Sequence, residues 1–281
     1  MKFSSLTLGT VQFGMNYGIA NTHGKPSINT VKSLLKYAYE HGVTTLDTAP
    51  EYGDSERVIG KALDELGLLN RFTIVTKIPS IPSDKTAEEF IQHSIQSSLK
   101  RLKMETLNVV LMHNEEDYLH LGTLNKFIQN GFIQNSGISL NTAAYANKKL
   151  DTNYIQIPGN IFDHRFKKYF NDQQRQIFIR SVYLQGLLVM PEENITIKEL
   201  VPYRRKLENI GLPMPELCIR YLFSLPGNKS VLTGVDSLPQ LKENIHMSEL
   251  GPLPKDIFAE INKIIPDLPE NWIAPSFWKK Q

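Results

Sequence analysis

The sequence predicts an α/β protein built as a (β/α)8 TIM barrel, in which eight parallel strands close on themselves inside a ring of outer helices. Eight short apolar runs alternate with amphipathic helical segments along almost the whole chain. Parallel strands need such helical crossovers. A length of 281 residues suits one barrel, and closure of the sheet removes its edge strands.

Each element follows from its residue pattern. The predicted strands are apolar runs, typical of buried parallel strands, and they cover residues 6–10, 43–46, 72–76, 107–112, 133–139, 154–158, 177–182 and 230–235. Apolar residues at spacings of three and four predict helices that begin near residues 28, 58, 86, 198, 215 and 238. Gly42 is expected to end the first of them, and Thr86 with Glu89 forms the pattern of a capping box.

The chain shows no linker or shift of composition before Gly251, which favours a single domain over residues 1–281. The proline-rich and tryptophan-containing segment 252–281 predicts a short helix and then an irregular C-terminal tail. An open, doubly wound sheet is the alternative fold. No Gly-x-Gly-x-x-Gly follows the first strand, which argues against a dinucleotide fold of that type.

Composition excludes several classes of function. The chain carries 31 basic and 29 acidic residues without a long basic stripe, so nucleic acid is not an expected partner. Cys218 is the single cysteine, which argues against a disulfide framework and against a metal site. The sequence contains neither a signal-peptide pattern nor a membrane-spanning run. We therefore expect a cytoplasmic protein with no membrane partner and no metal.

Three strands are followed by charged or titratable residues, namely Asp47, Lys77 and His113. A buried strand should not end in such a side chain unless the side chain has a partner. The carboxyl ends of parallel strands share one rim, which is where α/β enzymes keep their chemistry. Caps, turns and solvated surface residues explain each position singly, but they do not easily explain all of them at matching strand ends.

With Tyr52, which lies in the loop after Asp47, these residues predict a proton donor beside a carbonyl or alcohol. A phenol has a pKa near ~10, and an ammonium group on Lys77 would lower it. Asp47 would keep Lys77 charged, and His113 would hydrogen-bond a substrate oxygen. A lyase or isomerase in which Lys77 forms a Schiff base remains an alternative.

The segment from Gly42 to Gly60, GVTTLDTAPEYGDSERVIG, resembles the signature of the aldo-keto reductase family. Lys77 and His113 match the other two residues of that family's tetrad, and the resemblance covers nearly the whole chain. It implies a barrel that binds a nicotinamide cofactor and reduces aldehydes or ketones, or catalyses the reverse oxidation. It further implies that Tyr52 is the general acid, that Lys77 and Asp47 tune it, and that His113 orients the carbonyl.

The resemblance also implies a cofactor site along the strand ends. Ser139 and Gln156 would bind the nicotinamide carboxamide, whose donors and acceptors they match, and the loop around Ser181 would cover the pyrophosphate. The eighth-strand segment would hold the adenosine end, beside a helix N-terminus. The implied cofactor residues are Gly9, Thr10, Ser139, Gln156, Asn160, Arg180, Ser181, Leu184, Gly186, Thr233, Gly234, Gln240 and Asn244.

Three features depart from the family pattern. Arg180 stands where an aromatic residue commonly stacks on the nicotinamide, although a guanidinium can also stack. Asp236 lies where relatives that favour the 2′-phosphate often carry Lys or Arg, and it would repel a phosphate if it pointed inward. Family habit alone implies NADP(H) rather than NAD(H). The five residues before Leu6 leave little room for the hairpin that often plugs the barrel floor.

Tyr17 and Phe162 lie on loops expected to line the mouth of the barrel and to contact the substrate. Trp272 is expected either to fold over that mouth or to pack on the barrel wall. Segments 8–18 and 180–188 resemble a bacterial subgroup often linked with surface-sugar synthesis, which implies a small, sugar-like carbonyl substrate. The alternative is a cofactor-sensing binding protein of the same family with little turnover, for which Arg180 leaves room.

Overall fold

In the computed structural model, which describes residues 1–18 and 24–278, eight parallel strands form a closed barrel in chain order. They are β1 (Leu6–Gly9), β2 (Thr45–Asp47), β3 (Thr73–Ile78), β4 (Leu107–Met112), β5 (Ile133–Ser139), β6 (Tyr154–Pro158), β7 (Gln176–Arg180) and β8 (Asn228–Gly234). Every strand lies within two residues of its predicted bounds. The predicted barrel is therefore confirmed, and the open sheet is excluded because β8 pairs with β1.

The outer layer consists mainly of helices, with short 3-10 helices in several loops. The α-helices are α1 (Val11–Gly14), α2 (Ile28–Glu40), α3 (Ser55–Glu65), α4 (Ala87–Leu102), α5 (Leu121–Gln129), α6 (Ala143–Ala146), α7 (Val201–Glu208), α8 (Met214–Ser224), α9 (Leu238–Glu249), α10 (Lys255–Ile264) and α11 (Glu270–Ile273). Gly42 follows α2 with a φ of 76°, as expected of a residue that ends a helix. Thr86 precedes α4, but its side chain makes no capping hydrogen bond. The predicted capping box is therefore wrong.

The core has two parts because strand side chains alternate between two faces. The larger part packs the outer face of the barrel against the helices. A small separate cluster, formed by Val75, Val109, Leu111, Phe178 and Leu232, fills the interior. Phe3 packs edge-on against Phe178 at a centroid distance of 5.2 Å. Residues 1–5 form no strand, and Phe3 packs against this interior cluster.

The segment after Gly251 packs on the barrel wall. Ile261 and Ile273 are buried in the core, and Glu270 forms an ion pair with Arg165 from the loop after β6. Trp272 packs against the same core. No helix in the two described ranges is long and apolar enough to cross a membrane. The same ranges contain no cluster of three metal-binding side chains.

Candidate active site

Lys77 and Asp47 form a buried ion pair at the carboxyl ends of β3 and β2. Lys77 Nζ donates hydrogen bonds to Asp47 Oδ1 and to the backbone oxygen of Thr48, both at 2.8 Å. The Lys77 side chain is fully buried, and its Nζ lies 4.9 Å from the centroid of the Tyr52 ring. A cation held so close to a phenol ring can stabilise negative charge on the phenol oxygen.

His113 completes the group at the end of β4. Its ring lies edge-on to the ring of Tyr52, with centroids 5.8 Å apart. Asp47, Tyr52 and His113 all line one cleft of about 790 Å³, and Lys77 lies behind them. This volume is ordinary for a ligand site. The structure thus brings together the three side chains whose convergence the strand ends predict, along with Tyr52 from the loop after β2.

The electrostatics of Tyr52 differ from the sequence expectation. Burial raises the pKa of Tyr52 above its ordinary value, and this effect outweighs the opposing influence of Lys77. The predicted net lowering is therefore wrong, although Lys77 acts in the expected direction. Burial lowers the pKa of Lys77, but Asp47 and Tyr52 more than compensate, and that pKa is raised. At neutral pH, Tyr52 is therefore a neutral phenol and Lys77 a cation.

Several residues of the segment 42–60 support the local structure rather than take part in the proposed chemistry. The Ser55 hydroxyl donates to the backbone oxygen of Thr10 at 2.8 Å, which joins the β1 and β2 loops. Glu56 is buried and bonds both Thr76 and Arg101 at 2.6 Å. Gly53 has a φ of 61°, and a Cβ there would lie 2.5 Å from the backbone oxygen of Gly14. These contacts fix the loop that carries Tyr52.

Gln156 and Ser139 extend the group across the barrel mouth. The Gln156 amide donates to Asp47 Oδ1 at 2.6 Å, and its Oε1 accepts from the Ser139 hydroxyl at 3.2 Å. Both residues line the cleft. The predicted contact with a ligand carboxamide would thus begin from an amide that is already oriented by the Asp47 carboxylate.

Most of the predicted cofactor residues line the cleft, and Tyr17 lines it as well. Those in the lining are Gly9, Thr10, Ser139, Gln156, Arg180, Ser181, Gly186, Thr233, Gly234, Gln240 and Asn244. The lining runs outward from the barrel mouth to Pro215 of α8 and Met247 of α9. The cleft therefore reaches from the Tyr52 group, here called its inner end, to two helices of the outer layer.

Four of the predicted cofactor and substrate residues lie outside this lining. Leu184 and Phe162 are fully buried in the core, and Trp272 packs on the barrel wall. Asn160 is buried, where its Nδ2 donates to the Ser181 backbone oxygen at 3.2 Å and its Oδ1 accepts from the Phe162 backbone N–H at 2.9 Å. Asn160 thus supports the loop that follows β7. The structure places neither Phe162 nor Trp272 where a substrate would touch it. The two predicted substrate contacts are therefore wrong.

The cleft contains buried polar atoms that have no hydrogen-bond partner within the described part of the chain. Gln12 Oε1, Thr233 Oγ1 and Asp236 Oδ1 are such atoms, and all three residues line the cleft around β1 and β8. Buried polar groups are normally satisfied, so these atoms fit a polar ligand. A Cβ at Gly234 would lie 2.7 Å from the Gln12 side chain, which shows how closely the backbone borders this space. No sequence motif pointed to Gln12.

Arg180 lies at the end of β7 and contributes a guanidinium to the cleft. It donates to the backbone oxygen of Leu140 at 2.9 Å and also to the side chain of Asn141. Burial lowers the pKa of Arg180 from its usual value. These acceptors hold the side chain on the β5 side of the cleft.

Glu51 is a functional candidate that the sequence analysis did not single out. Its carboxylate is in close contact with His113 Nδ1. The interaction with His113 lowers the pKa of Glu51 below its usual value, against the opposing effect of partial burial. The sequence feature that could have indicated Glu51 is its position beside Tyr52 in the loop after β2, where an acidic side chain faces the same rim.

Comparison with known proteins agrees with this geometry. The aldo/keto reductase family model matches residues 5–266. A Bacillus subtilis protein described as "Uncharacterized oxidoreductase YqkF" is 26% identical over 251 residues, which covers 77% of this chain and 81% of that protein. The D-arabinose 1-dehydrogenase of Saccharomyces cerevisiae is 33% identical over 128 residues, or 41% of this chain and 38% of that enzyme.

A solved structure has the same barrel. It is an aldo/keto reductase from Klebsiella pneumoniae in complex with NADP and acetate. The two chains superpose with a TM-score of 0.71 at 17% identity, over 94% of this chain and 92% of that one. At this identity, the likeness concerns the fold.

Proposed function

Since this chain belongs to the aldo/keto reductase family and is therefore an NAD(P)H-dependent oxidoreductase, we propose that it reduces a small aldehyde or ketone with Tyr52 as the proton donor. The proposal rests above all on the buried Lys77–Asp47 pair, whose ammonium lies 4.9 Å from the Tyr52 ring inside the cleft. A bound dinucleotide supplies a hydride to the carbonyl carbon.

Each of the four residues has a distinct task. Tyr52 remains protonated at neutral pH because burial raises its pKa, so it holds the proton that the carbonyl oxygen needs. Lys77 stabilises the phenolate that forms as this proton leaves. Asp47 holds Lys77 in place at 2.8 Å. His113, whose ring lies edge-on to Tyr52, orients the carbonyl.

The cleft lining fits a dinucleotide. Ser139 and Gln156 offer a hydroxyl and an amide near the Tyr52 group, which suit a carboxamide. The unpartnered atoms of Gln12 and Thr233 offer further polar contacts. We infer that the nicotinamide lies at the inner end and the adenosine between α8 and α9. Family habit favours NADP(H) over NAD(H), and NADP is the ligand in the Klebsiella structure.

A sugar-like substrate fits the remaining space. Tyr17 lines the cleft at its entrance with 45% of its surface exposed, and Asn141 adds a polar group beside it. Such side chains suit a polyhydroxylated ligand better than an apolar one. The relative from yeast is named a D-arabinose 1-dehydrogenase, which supports a sugar, or the carbonyl precursor of one, as the substrate class.

Two alternatives are less well supported. A Schiff base on Lys77 needs a neutral amine, whereas Asp47 and Tyr52 raise the pKa of Lys77. A cofactor sensor with little turnover does not require a proton donor with a charged partner, yet Tyr52 and Lys77 retain that arrangement. We further propose that residues 1–281 act as one domain, with 252–281 as its tail, in the cytoplasm. Residues 279–281 of that tail lie outside the described residues.

A turnover assay distinguishes the reductase from the cofactor sensor and from the Schiff-base enzyme. The protein is mixed with NADH or NADPH and a panel of aldehydes that includes aldoses, and cofactor absorbance is followed. We expect substrate-dependent oxidation of the cofactor with at least one carbonyl compound. Binding of the dinucleotide without oxidation across the panel would favour the sensor. A protein–substrate adduct trapped by borohydride would favour the Schiff-base enzyme.

Glu51→Gln is expected to lower kcat/KM for the carbonyl by on the order of tenfold, an effect comparable with the loss of one hydrogen bond to a charged group. The reason is that His113 Nδ1 contacts the Glu51 carboxylate, which fixes the ring that orients the substrate. Steady-state kinetics and cofactor titration measure the effect. Glu105→Gln is the matched control because Glu105 is exposed before the amino end of β4. An unchanged kcat/KM, or an equal loss in both variants, would refute this positioning role.

A further inference from the structure

We propose that Asp236 makes the cleft selective for a dinucleotide with a free 2′-hydroxyl, so that this chain binds NADH in preference to NADPH. The inference rests on the proposed cofactor function, and it reverses the expectation from family habit. Asp236 lies two residues beyond β8, is one of the residues that line the cleft, and is 8% exposed.

One oxygen of the Asp236 carboxylate lacks a hydrogen-bond donor among the described residues. This oxygen, Oδ1, is buried without a hydrogen-bond partner in the described ranges. The backbone N–H of the same residue donates to Gln240 Oε1 at 3.0 Å, so the Gln240 side chain holds the loop in place. Leaving a carboxylate oxygen buried and unpaired is costly. A ribose with both hydroxyls free can donate to this oxygen.

The charge around this end of the cleft also disfavours a phosphate. Glu243, one turn into α9, is a second carboxylate in the lining. Among the described lining residues, Arg180 is the sole lysine or arginine, and its guanidinium bonds Leu140 and Asn141 on the β5 side. A phosphate monoester carries about −1.5 to −2 charges at neutral pH. Placed near Asp236 and Glu243, it would meet like charge, and the described lining offers no lysine or arginine besides Arg180 to balance it.

The place that the pyridine ring of the cofactor must take assigns the adenosine ribose to the end of the cleft that carries Asp236 and Glu243. The pyridine ring of the cofactor has to lie beside Tyr52 at the inner end of the cleft. The cleft leads outward past Thr233 and Gly234 to Pro215 of α8 and Met247 of α9. Asp236 and Glu243 lie along this outer part, at the junction of β8 and α9. The second riboside of an extended dinucleotide therefore meets these carboxylates.

Calorimetric titration with NADH and with NADPH tests the inference without any substrate. The wild type is expected to bind NADH at least about tenfold more tightly, because one like-charge contact between a phosphate and a largely buried carboxylate is sufficient for that ratio. Asp236→Asn is expected to narrow the ratio of the two Kd values about fivefold or more, mainly through tighter NADPH binding. Asp256→Asn, on the exposed start of α10, is the control and should leave the ratio unchanged.

Competition with 2′,5′-ADP and 5′-ADP gives a second readout that involves only the adenosine end. We expect 5′-ADP to displace NADH at lower concentration than 2′,5′-ADP does. Equal or tighter binding of NADPH by the wild type would overturn the preference but leave the reductase function standing. An unchanged Kd ratio in a folded Asp236→Asn variant would overturn the role of this residue. Failure to bind either dinucleotide would overturn the reductase function and this inference together.

Discussion

Tyr52→Phe is expected to lower kcat for carbonyl reduction by about 10²–10⁴-fold, the usual contribution of a positioned general acid. The substitution removes the proton that burial keeps on the phenol oxygen at neutral pH. It leaves the ring that packs edge-on against His113. Dinucleotide binding should therefore persist within a fewfold, so that the loss appears in kcat rather than in cofactor affinity.

Tyr203→Phe is the matched control for this experiment. Tyr203 lies on α7, outside the residues that line the cleft, so its variant should retain wild-type kinetics. Single-turnover rates with saturating cofactor compare the two variants directly. A Tyr52→Phe enzyme that keeps near-full activity with cofactor bound would show that another group supplies the proton.

Substitutions that break the Lys77–Asp47 pair are expected to have the second largest effect on catalysis, and they should also lower the stability of the fold. Lys77→Met leaves the buried Asp47 carboxylate without its cation, which should destabilise the fold by about 3–5 kcal/mol. It also removes the charge that stabilises the Tyr52 phenolate, so kcat should fall by at least about 10²-fold. Chemical unfolding and steady-state kinetics measure the two effects separately.

A double-mutant cycle distinguishes pairing from general disruption. Asp47→Asn combined with Lys77→Met should be less destabilised than the sum of the two single changes, because no uncompensated charge remains. The exposed pair formed by Lys36 and Glu40, 3.9 Å apart, provides the contrast, and its cycle should show a coupling of about 0–1 kcal/mol. Additive losses at Lys77 and Asp47 would contradict the buried ion pair.

The convergence of Asp47, Lys77 and His113 could be predicted because parallel strands in a barrel bring their carboxyl ends to one rim. The strand bounds were predictable for a similar reason, since buried apolar runs end where the chain turns outward. Loop side chains lack such a rule. Phe162 follows β6 as a mouth residue should, but Asn160 Oδ1 accepts from the backbone N–H groups of Phe162 and Asp163, and the resulting turn buries the ring.

Other features of the site depend on competing effects and on packing contacts that cannot be predicted from the sequence. The net direction of the Tyr52 pKa requires burial to be weighed against Lys77, and burial prevails. Gln12 lies on the short helix after β1 and resembles any surface amide until the backbone of Gly234 is seen beside it. Asp236 was visible as a departure from a family pattern, but its burial and its unpartnered oxygen emerge from the packing around α9.

The most direct test of the account is a pH titration of the Tyr52 phenol by NMR. Tyrosines carry a ¹³Cζ label, and the signal that disappears in Tyr52→Phe identifies the residue. We predict that this signal titrates above the ordinary pKa near ~10, because burial raises the pKa of Tyr52. We also predict that Lys77→Met moves the titration higher still and that saturating oxidised dinucleotide shifts the signal. A Tyr52 signal with an ordinary pKa that responds to neither Lys77→Met nor the dinucleotide would contradict these predictions.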